Sequence, residues 1–180
     1  MGIEARQDMI IGIVIPLILE HGRDLTSKQI AEACGIAEGT IFRAFGDKET
    51  LITTAVERYL DPLALRANLR AVDGDLPLDD KLAAIMGLLR DRFSSVIRMM
   101  AAIGRSGPPA RREGSDPNDF AVVIAELLAP HIDEMRVEPQ QVAQFARVIA
   151  FASALPVFGD SIPLSPAELL DLFQHGVMKG

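Results

Sequence analysis

A chain of 180 residues, 49% apolar, with one Tyr and no Trp, is long enough for one sizeable core or two small ones of aliphatic, helical character. Its single Cys excludes an intrachain disulfide and zinc sites of the CxxC kind, and no apolar run reaches the length of a membrane span. The net charge of −7 argues against strong non-specific affinity for nucleic acid, which depends on excess Lys and Arg.

The first predicted helix runs from Ile3 to His21 and is closed by Gly22. Ile10, Ile13, Val14, Leu17 and Ile18 fall on one face of it at three-and-four spacing. Pro16 removes a hydrogen bond to Gly12, so a kink is expected near residues 12 to 16. Met9 to Leu19 is apolar, but Arg6 and Asp8 precede it and no small-residue cleavage site follows, so no signal peptide is expected. Arg at position 6 also argues against myristoylation at Gly2. The protein is expected to be cytoplasmic, with no membrane partner.

Thr26 to Lys48 is the informative stretch. Thr26 or Ser27 caps a short helix bearing Ile30, Ala31 and Cys34, and Gly35 ends it with the left-handed conformation that a helix C-terminus needs. A second short helix, roughly Glu38 to Phe45, carries Ile41 and Phe45 inward, while Ile36 fills the turn. Ala31 is small where two helices joined by a three-to-four-residue turn come closest. The pattern is that of a helix-turn-helix, although these spacings alone also fit an ordinary helical hairpin.

Beyond the turn come Gly39-Thr40-Ile41-Phe42-Arg43, then Phe45, Asp47-Lys48-Glu49 and Leu51. Over about residues 5 to 58 this resembles the N-terminal domain of the TetR family of bacterial transcription regulators, whose recognition helix typically reads G-T-[LI]-[YF]-x-[HY]-F followed by a polar residue, Lys, Glu and Leu. The resemblance implies an all-α protein. An N-terminal three-helix helix-turn-helix DNA-binding domain (residues 1–46) would be followed by a connecting helix and loop (47–76) and a C-terminal helical domain for ligand binding and dimerisation (77–180).

Asp47 is expected to cap a helix reaching Arg70, bent or broken near Leu60-Asp61 by Pro62, with Leu51, Ala55, Val56 and Tyr59 buried. Residues 71 to 77 read as a loop. A long helix from Leu78 to Ile103 follows, and Gly104 to Asn118, rich in Gly, Pro and charge, reads as an exposed, mobile loop. Three more helices are expected over Asp119–Met135, bent at Pro130, then Pro139–Phe158 and Pro166–Met178. The Pro139–Phe158 helix is apolar nearly all round and dense in small residues, so it needs cover on more than one side. In TetR-like proteins the last two helices pair across a two-fold axis. That implies a homodimer through Phe145, Ile149, Leu169, Phe173 and Val177; a buried central helix of a monomer fits the same residues.

Carried onto the recognition helix, the resemblance gives Thr40 and Arg43 as groove-facing, with Arg43 the candidate for a bidentate guanine contact, and Thr26 and Lys48 as phosphate contacts. Ser27, Lys28, Glu38, Gly39 and Phe42 complete the expected surface for a double-stranded DNA operator. Three positions depart from the pattern. Phe42 lacks a phenol hydroxyl, Ala44 replaces a polar residue, and Glu38 stands where Lys is common; Glu38 either accepts from cytosine or favours the helix N-terminus.

Residues 1 to 50 hold five basic and eight acidic side chains, a balance of −3, and the basic N-terminal arm of many relatives is missing from the sequence as given. Specific binding then rests on a local basic face and on helix N-termini. The family also implies an unidentified small, largely apolar ligand, for which Met86, Leu89, Phe93, Met100, Phe120, Phe145 and Phe151 are candidate lining residues, although the same residues also suit a packed core. No P-loop, dinucleotide glycine motif or nucleophile elbow is present. His131-Ile132-Asp133-Glu134 reads as an exposed helix end, and Cys34 as a small core residue. Neither a cofactor nor enzymatic activity is expected. The alternative is a helical dimer that binds a small molecule or a protein without touching DNA.

Overall fold

The computed structural model describes residues 2–105, 119–155 and 165–179. Regular structure there is helical, apart from one isolated antiparallel bridge between Met135 and Met178. In order, the α-helices are α1 (Ile3–His21), α2 (Ser27–Cys34), α3 (Glu38–Phe45), α4 (Lys48–Tyr59), α5 (Leu63–Arg70), α6 (Leu78–Ala102), α7 (Asp119–Leu128), α8 (Pro139–Ala154) and α9 (Pro166–Val177). They form two compact units. The first holds the described parts of Met1–Asp61 and Arg98–Pro109, the second those of Pro62–Ile97 and Ala110–Gly180, so the last turn of α6 belongs to the first unit.

In the first unit Ile10, Val14 and Ile18 of α1, four residues apart, stack on Ile30 and Ala31 of α2, Ile41 of α3, and Leu51 and Ala55 of α4, with Met99 of α6 closing the cluster. Each fully buried Ile or Leu contributes roughly 1.5–3 kcal/mol. That burial is decisive for α2 and α3. Each is eight residues long, below the ~12–15 at which an isolated helix becomes even marginal in water. α1 runs through Pro16 without a break. Gly12 and Pro16 both lie on its exposed side, where water can satisfy the carbonyl that the proline leaves without a donor.

The chain leaves α1 through Gly22, at φ 57° and ψ −128°, where a Cβ would stand 2.5 Å from the Ala102 carbonyl oxygen. The next residue caps the far end of α6: Arg23 donates from Nε to the Ile103 carbonyl at 2.7 Å and from Nη2 to that of Gly104 at 2.8 Å. Asp8 and Arg58 join α1 to α4, with both guanidinium ends donating to one carboxylate oxygen at 2.7 and 2.5 Å.

The expected helix from Asp47 to Arg70 is two helices. α4 stops at Tyr59 and α5 starts at Leu63, immediately after Pro62. In the second unit Leu65 and Leu69 of α5 join a core with Leu82, Ile85 and Leu89 of α6, Phe120, Ile124 and Leu128 of α7, Val142, Ala143, Ala146 and Ala150 of α8, and Phe173 and Val177 of α9. The alanines of α8 let it pack closely on α7.

Two boundaries differ from expectation by more than one residue, both through proline. α7 ends at Leu128, and Ala129–Glu134 continues as a 3₁₀ turn with Pro130 in its first turn, not as a bent α-helix to Met135. α8 stops at Ala154, because Leu155, the residue before Pro156, is extended at φ −82° and ψ 125°. Residues 156–158 of that expected helix, and 106–118 of the expected mobile loop, lie outside the described residues.

Gly22→Ala tests the α1–α2 corner. Its dihedral angles alone cost about 1–3 kcal/mol for a residue with a Cβ, and the contact with Ala102 adds to that. Denaturant unfolding should show the loss; an unchanged midpoint would contradict the close approach.

Candidate nucleic-acid interface and apolar faces

α2 starts and stops on side-chain and backbone chemistry the sequence prescribes. Thr26 Oγ1 accepts from the Gln29 amide at 3.2 Å, and Gln29 Oε1 accepts from the Thr26 amide at 2.8 Å, a reciprocal capping box. At the other end Gly35 sits at φ 65° and ψ 32°. The Ile36 amide donates to the Ala31 carbonyl at 3.1 Å and the Gly35 amide to Glu32 at 3.2 Å, the paired bonds of a left-handed helix stop. The backbone is thereby re-aimed within three residues, and α3 begins at Glu38. Ala37 provides no side-chain cap there, so α3 lacks the cap that both α2 and α4 possess.

α3 is two-faced. Ile41 is buried and Phe45 half-buried, while Glu38, Gly39, Phe42 and Arg43 are exposed and Thr40 is half-exposed. Arg43 donates from Nε to the Gly39 carbonyl at 3.2 Å. Behind it, Gln7 of α1 donates from Nε2 to the Ala44 carbonyl at 2.7 Å and holds the end of α3.

Among the basic candidates, Lys28 is exposed and lies 4.0 Å from Glu32, a surface pair worth little in energy but one that offsets its charge. Lys48 is half-buried, and its Nζ donates to the Leu25 carbonyl at 2.9 Å, tying the start of α4 to the chain that enters α2. Sequence reasoning gave Lys48 a phosphate only. Its structural bond, like those of Gln7 and Arg23, joins residues 23 or more apart, where no local spacing signals it.

Asp47 caps α4 by accepting from the Thr50 amide at 2.7 Å, and that bond lowers its carboxyl pKa below the ordinary range. Cys34 is half-buried and packed against the first core; loss of solvent raises its thiol pKa, which leaves it less thiolate than a free cysteine.

In the second unit, α8 and α9 enclose an open groove of about 350 Å³, lined among others by Phe145, Ile149, Leu169, Leu172 and Phe173. Phe145, Val148 and Leu172 are 64%, 65% and 58% exposed, which is unusual for side chains so apolar and marks a face without cover. All five sequence candidates for dimerisation line this groove, although Phe173 and Val177 also reach into the core.

The ligand candidates scatter. Met86, Leu89 and Phe120 are packed in the second core, and Phe93 meets Phe151 edge-to-face at 5.4 Å between centroids. Met100 is buried in the part of α6 that belongs to the first unit, and Phe145 lies on the exposed groove.

A capped helix, a glycine stop and a second helix with a polar outer face form a helix-turn-helix. Residues 16–55 match the family model of bacterial regulatory proteins of the tetR family. A comparison with curated protein sequences finds no match.

Solved structures of similar fold include a TetR transcriptional regulator of Streptomyces coelicolor, 23% identical, with 96% of this chain and 98% of that one covered and a TM-score of 0.56. A TetR-family regulator of Haemophilus influenzae is 12% identical with 98% of both chains covered and a TM-score of 0.58. NalD of Pseudomonas aeruginosa, the secondary repressor of the MexAB-OprM multidrug efflux pump, is 18% identical over 98% of this chain and 97% of its own, with a TM-score of 0.54. At such identities the likeness is one of fold. No described helix is long and apolar enough to cross a membrane.

The Asp47 cap makes a pH prediction. Its folded-state pKa lies below that of an unfolded Asp, about 3.9, so the cap's contribution is fully present above that value and is lost as pH falls through the lowered one. Asp47→Asn retains a capping oxygen and cannot titrate. Below about pH 4 the wild type should lose denaturant stability more steeply than this variant. Parallel curves would remove the role.

Proposed function

We propose that the chain is a ligand-responsive transcriptional repressor that acts in the cytoplasm as a homodimer on a palindromic operator. The observation that carries the DNA-binding part is α3 itself, seated by Ile41 and re-aimed by Gly35, with Arg43 on its open face. A helix so held enters the major groove, where Arg43 donates two hydrogen bonds to a guanine. Thr26, Ser27, Lys28 and Lys48 serve the phosphates, helped by the uncapped N-terminus of α3. Repression is supported by what NalD is, a repressor of similar fold.

Dimerisation is supported by the uncovered apolar face of α8 and α9. Two-fold pairing of that face covers Phe145, Val148 and Leu172 and sets the spacing of the two α3 helices to successive major grooves. The ligand is a small, largely apolar molecule bound in the second unit. It acts by favouring a dimer whose α3 helices are wrongly spaced; a ~100-fold fall in operator affinity needs about 2.7 kcal/mol of such preference. The two units are joined along the chain at Asp61-Pro62 and through α6, the routes by which such a preference reaches α3.

Selection of bound duplexes from a random pool tests the DNA-binding part, and a palindromic product is expected. On that product Arg43→Ala should cost about 1–3 kcal/mol and relax preference at one base pair, whereas Lys48→Ala should weaken all sequences and also lower the stability of the first unit. Failure to enrich any duplex would favour a helical dimer that acts without DNA. For the dimer, Leu172→Asp or Phe145→Asp alters a side chain already exposed in one protomer, so each should yield a folded monomer by sedimentation and circular dichroism. A wild type that sediments as a monomer at micromolar concentration would remove the homodimer.

A further inference from the structure

Lys81, in the first turn of α6, is wholly buried, an expensive place for an ammonium and made more so by the positive end of the helix. It is held by two acceptors. Its Nζ donates to the Gly74 carbonyl at 2.8 Å in the α5–α6 loop and lies 2.8 Å from Nε2 of His131 in the Ala129–Glu134 turn. An ammonium has only donors, so Nε2 is the accepting nitrogen and carries no proton. The ring proton is then on Nδ1, which donates to Glu134 Oε1 at 2.6 Å. The neutral imidazole is therefore the form this packing uses.

The same turn holds the end of α9. The Lys179 amide donates to the Glu134 carbonyl at 2.8 Å and its Nζ to that of Asp133 at 2.9 Å, while the Arg136 amide donates to the Val177 carbonyl at 2.7 Å. From the other side Gln174 donates from Nε2 to the Asp79 carbonyl at 2.7 Å, at the head of α6. The last turns of α9 thus rest on two supports, the 3₁₀ turn and the first turn of α6, and His131 with Lys81 joins those supports to each other.

We propose that His131 is an acid-sensitive joint. A proton on Nε2 removes one of the acceptors of Lys81, sets imidazolium against ammonium in a buried site, and releases the 3₁₀ turn and the end of α9 from α6. Glu134 faces the ring from the Nδ1 side, but it is 57% exposed and its charge is screened, whereas Lys81 is fully enclosed. The other charged or titratable groups of the segments packed there are Asp73 and Asp75 beside Gly74, Asp79 and Asp80 at the head of α6, Asp133, Arg136, Lys179, and on α9 Asp171 with His175, whose Nδ1 lies 3.3 Å from the Asp171 carboxylate, and all are exposed. On the homodimer reading above, the joint makes pairing through α9 weaken in acid.

Hydrogen exchange of α9 amides, corrected for the intrinsic effect of pH, reads the joint directly. In the wild type, protection should fall by up to about tenfold in all between about pH 7.5 and about 5.5, most of it below about pH 6.5, the ordinary imidazole value. His131→Gln, which keeps an acceptor and cannot take a proton, and Lys81→Met, which removes the ammonium, should each flatten that dependence. Labelled-imidazole NMR of the unaltered chain should find a neutral ring with its proton on Nδ1 at about pH 7.5.

A wild type whose protection does not fall, a variant that folds and falls in parallel with it, or a ring protonated on Nε2 at neutral pH overturns the proposal. Sedimentation at the same pH values separates it from the dimer. A chain monomeric throughout removes the dimer reading and leaves the joint, which exchange reads in either state.

Discussion

The structure of the first unit depends on one backbone constraint, the left-handed turn at Gly35. Two hydrogen bonds there close α2, at Ala31 and Glu32, and turn the chain so that α3 starts three residues later with Ile41 facing the core. A side chain with a Cβ is strained at that φ, and a longer turn would free α3 to rotate about its axis. Everything else in the unit supports that angle. Ile30 and Ala31 meet α1 and α3, Gln7 holds the end of α3, and Lys48 ties α4 to the entry of α2. An eight-residue helix has too little stability of its own to keep a fixed direction, so the packing behind it supplies the rigidity.

The second unit answers a different demand. Its core is closed by the small inner side of α8, and the outer side of the same helix keeps large apolar residues in water. Leaving Phe145, Val148 and Leu172 uncovered is costly for a lone protomer, and covering all three with a second copy removes that cost by the means that packs a domain interior. The acidic balance of the chain fits the same division of labour. On the proposed function little non-specific attraction to DNA is available, so affinity would rest on the placement of a few groups on α2 and α3.

What was legible in the sequence is what short-range chemistry dictates. The caps at Thr26 and Asp47, the stop at Gly35, the break before Pro62 and the 3.6-residue apolar spacing all act within a few residues of themselves. Pro156 could have been used in the same way: it ends α8 through Leu155, yet the apolar run past it reads as more helix. Arg23 on α6, Lys48 on Leu25 and Lys81 on His131 were hidden for the opposite reason. A charged residue on a helix reads as solvent-facing, and its partner lies 23 or more residues away. His131 in particular reads as part of an exposed end, and only the fold brings Lys81 beneath it. The groove between α8 and α9 was legible as two apolar faces, whereas the scatter of Met86, Phe93, Met100 and Phe145 was not, because composition cannot say which apolar side chains converge.

The central claim is that α3 and the start of α2 are the surface that meets DNA. Backbone amide NMR shifts recorded while a selected duplex is added test it most directly. The account predicts that the perturbed amides cluster at residues 26–29 and 38–48. Perturbation confined to α8 and α9, or no perturbation at duplex concentrations that saturate the selected binding, would contradict it.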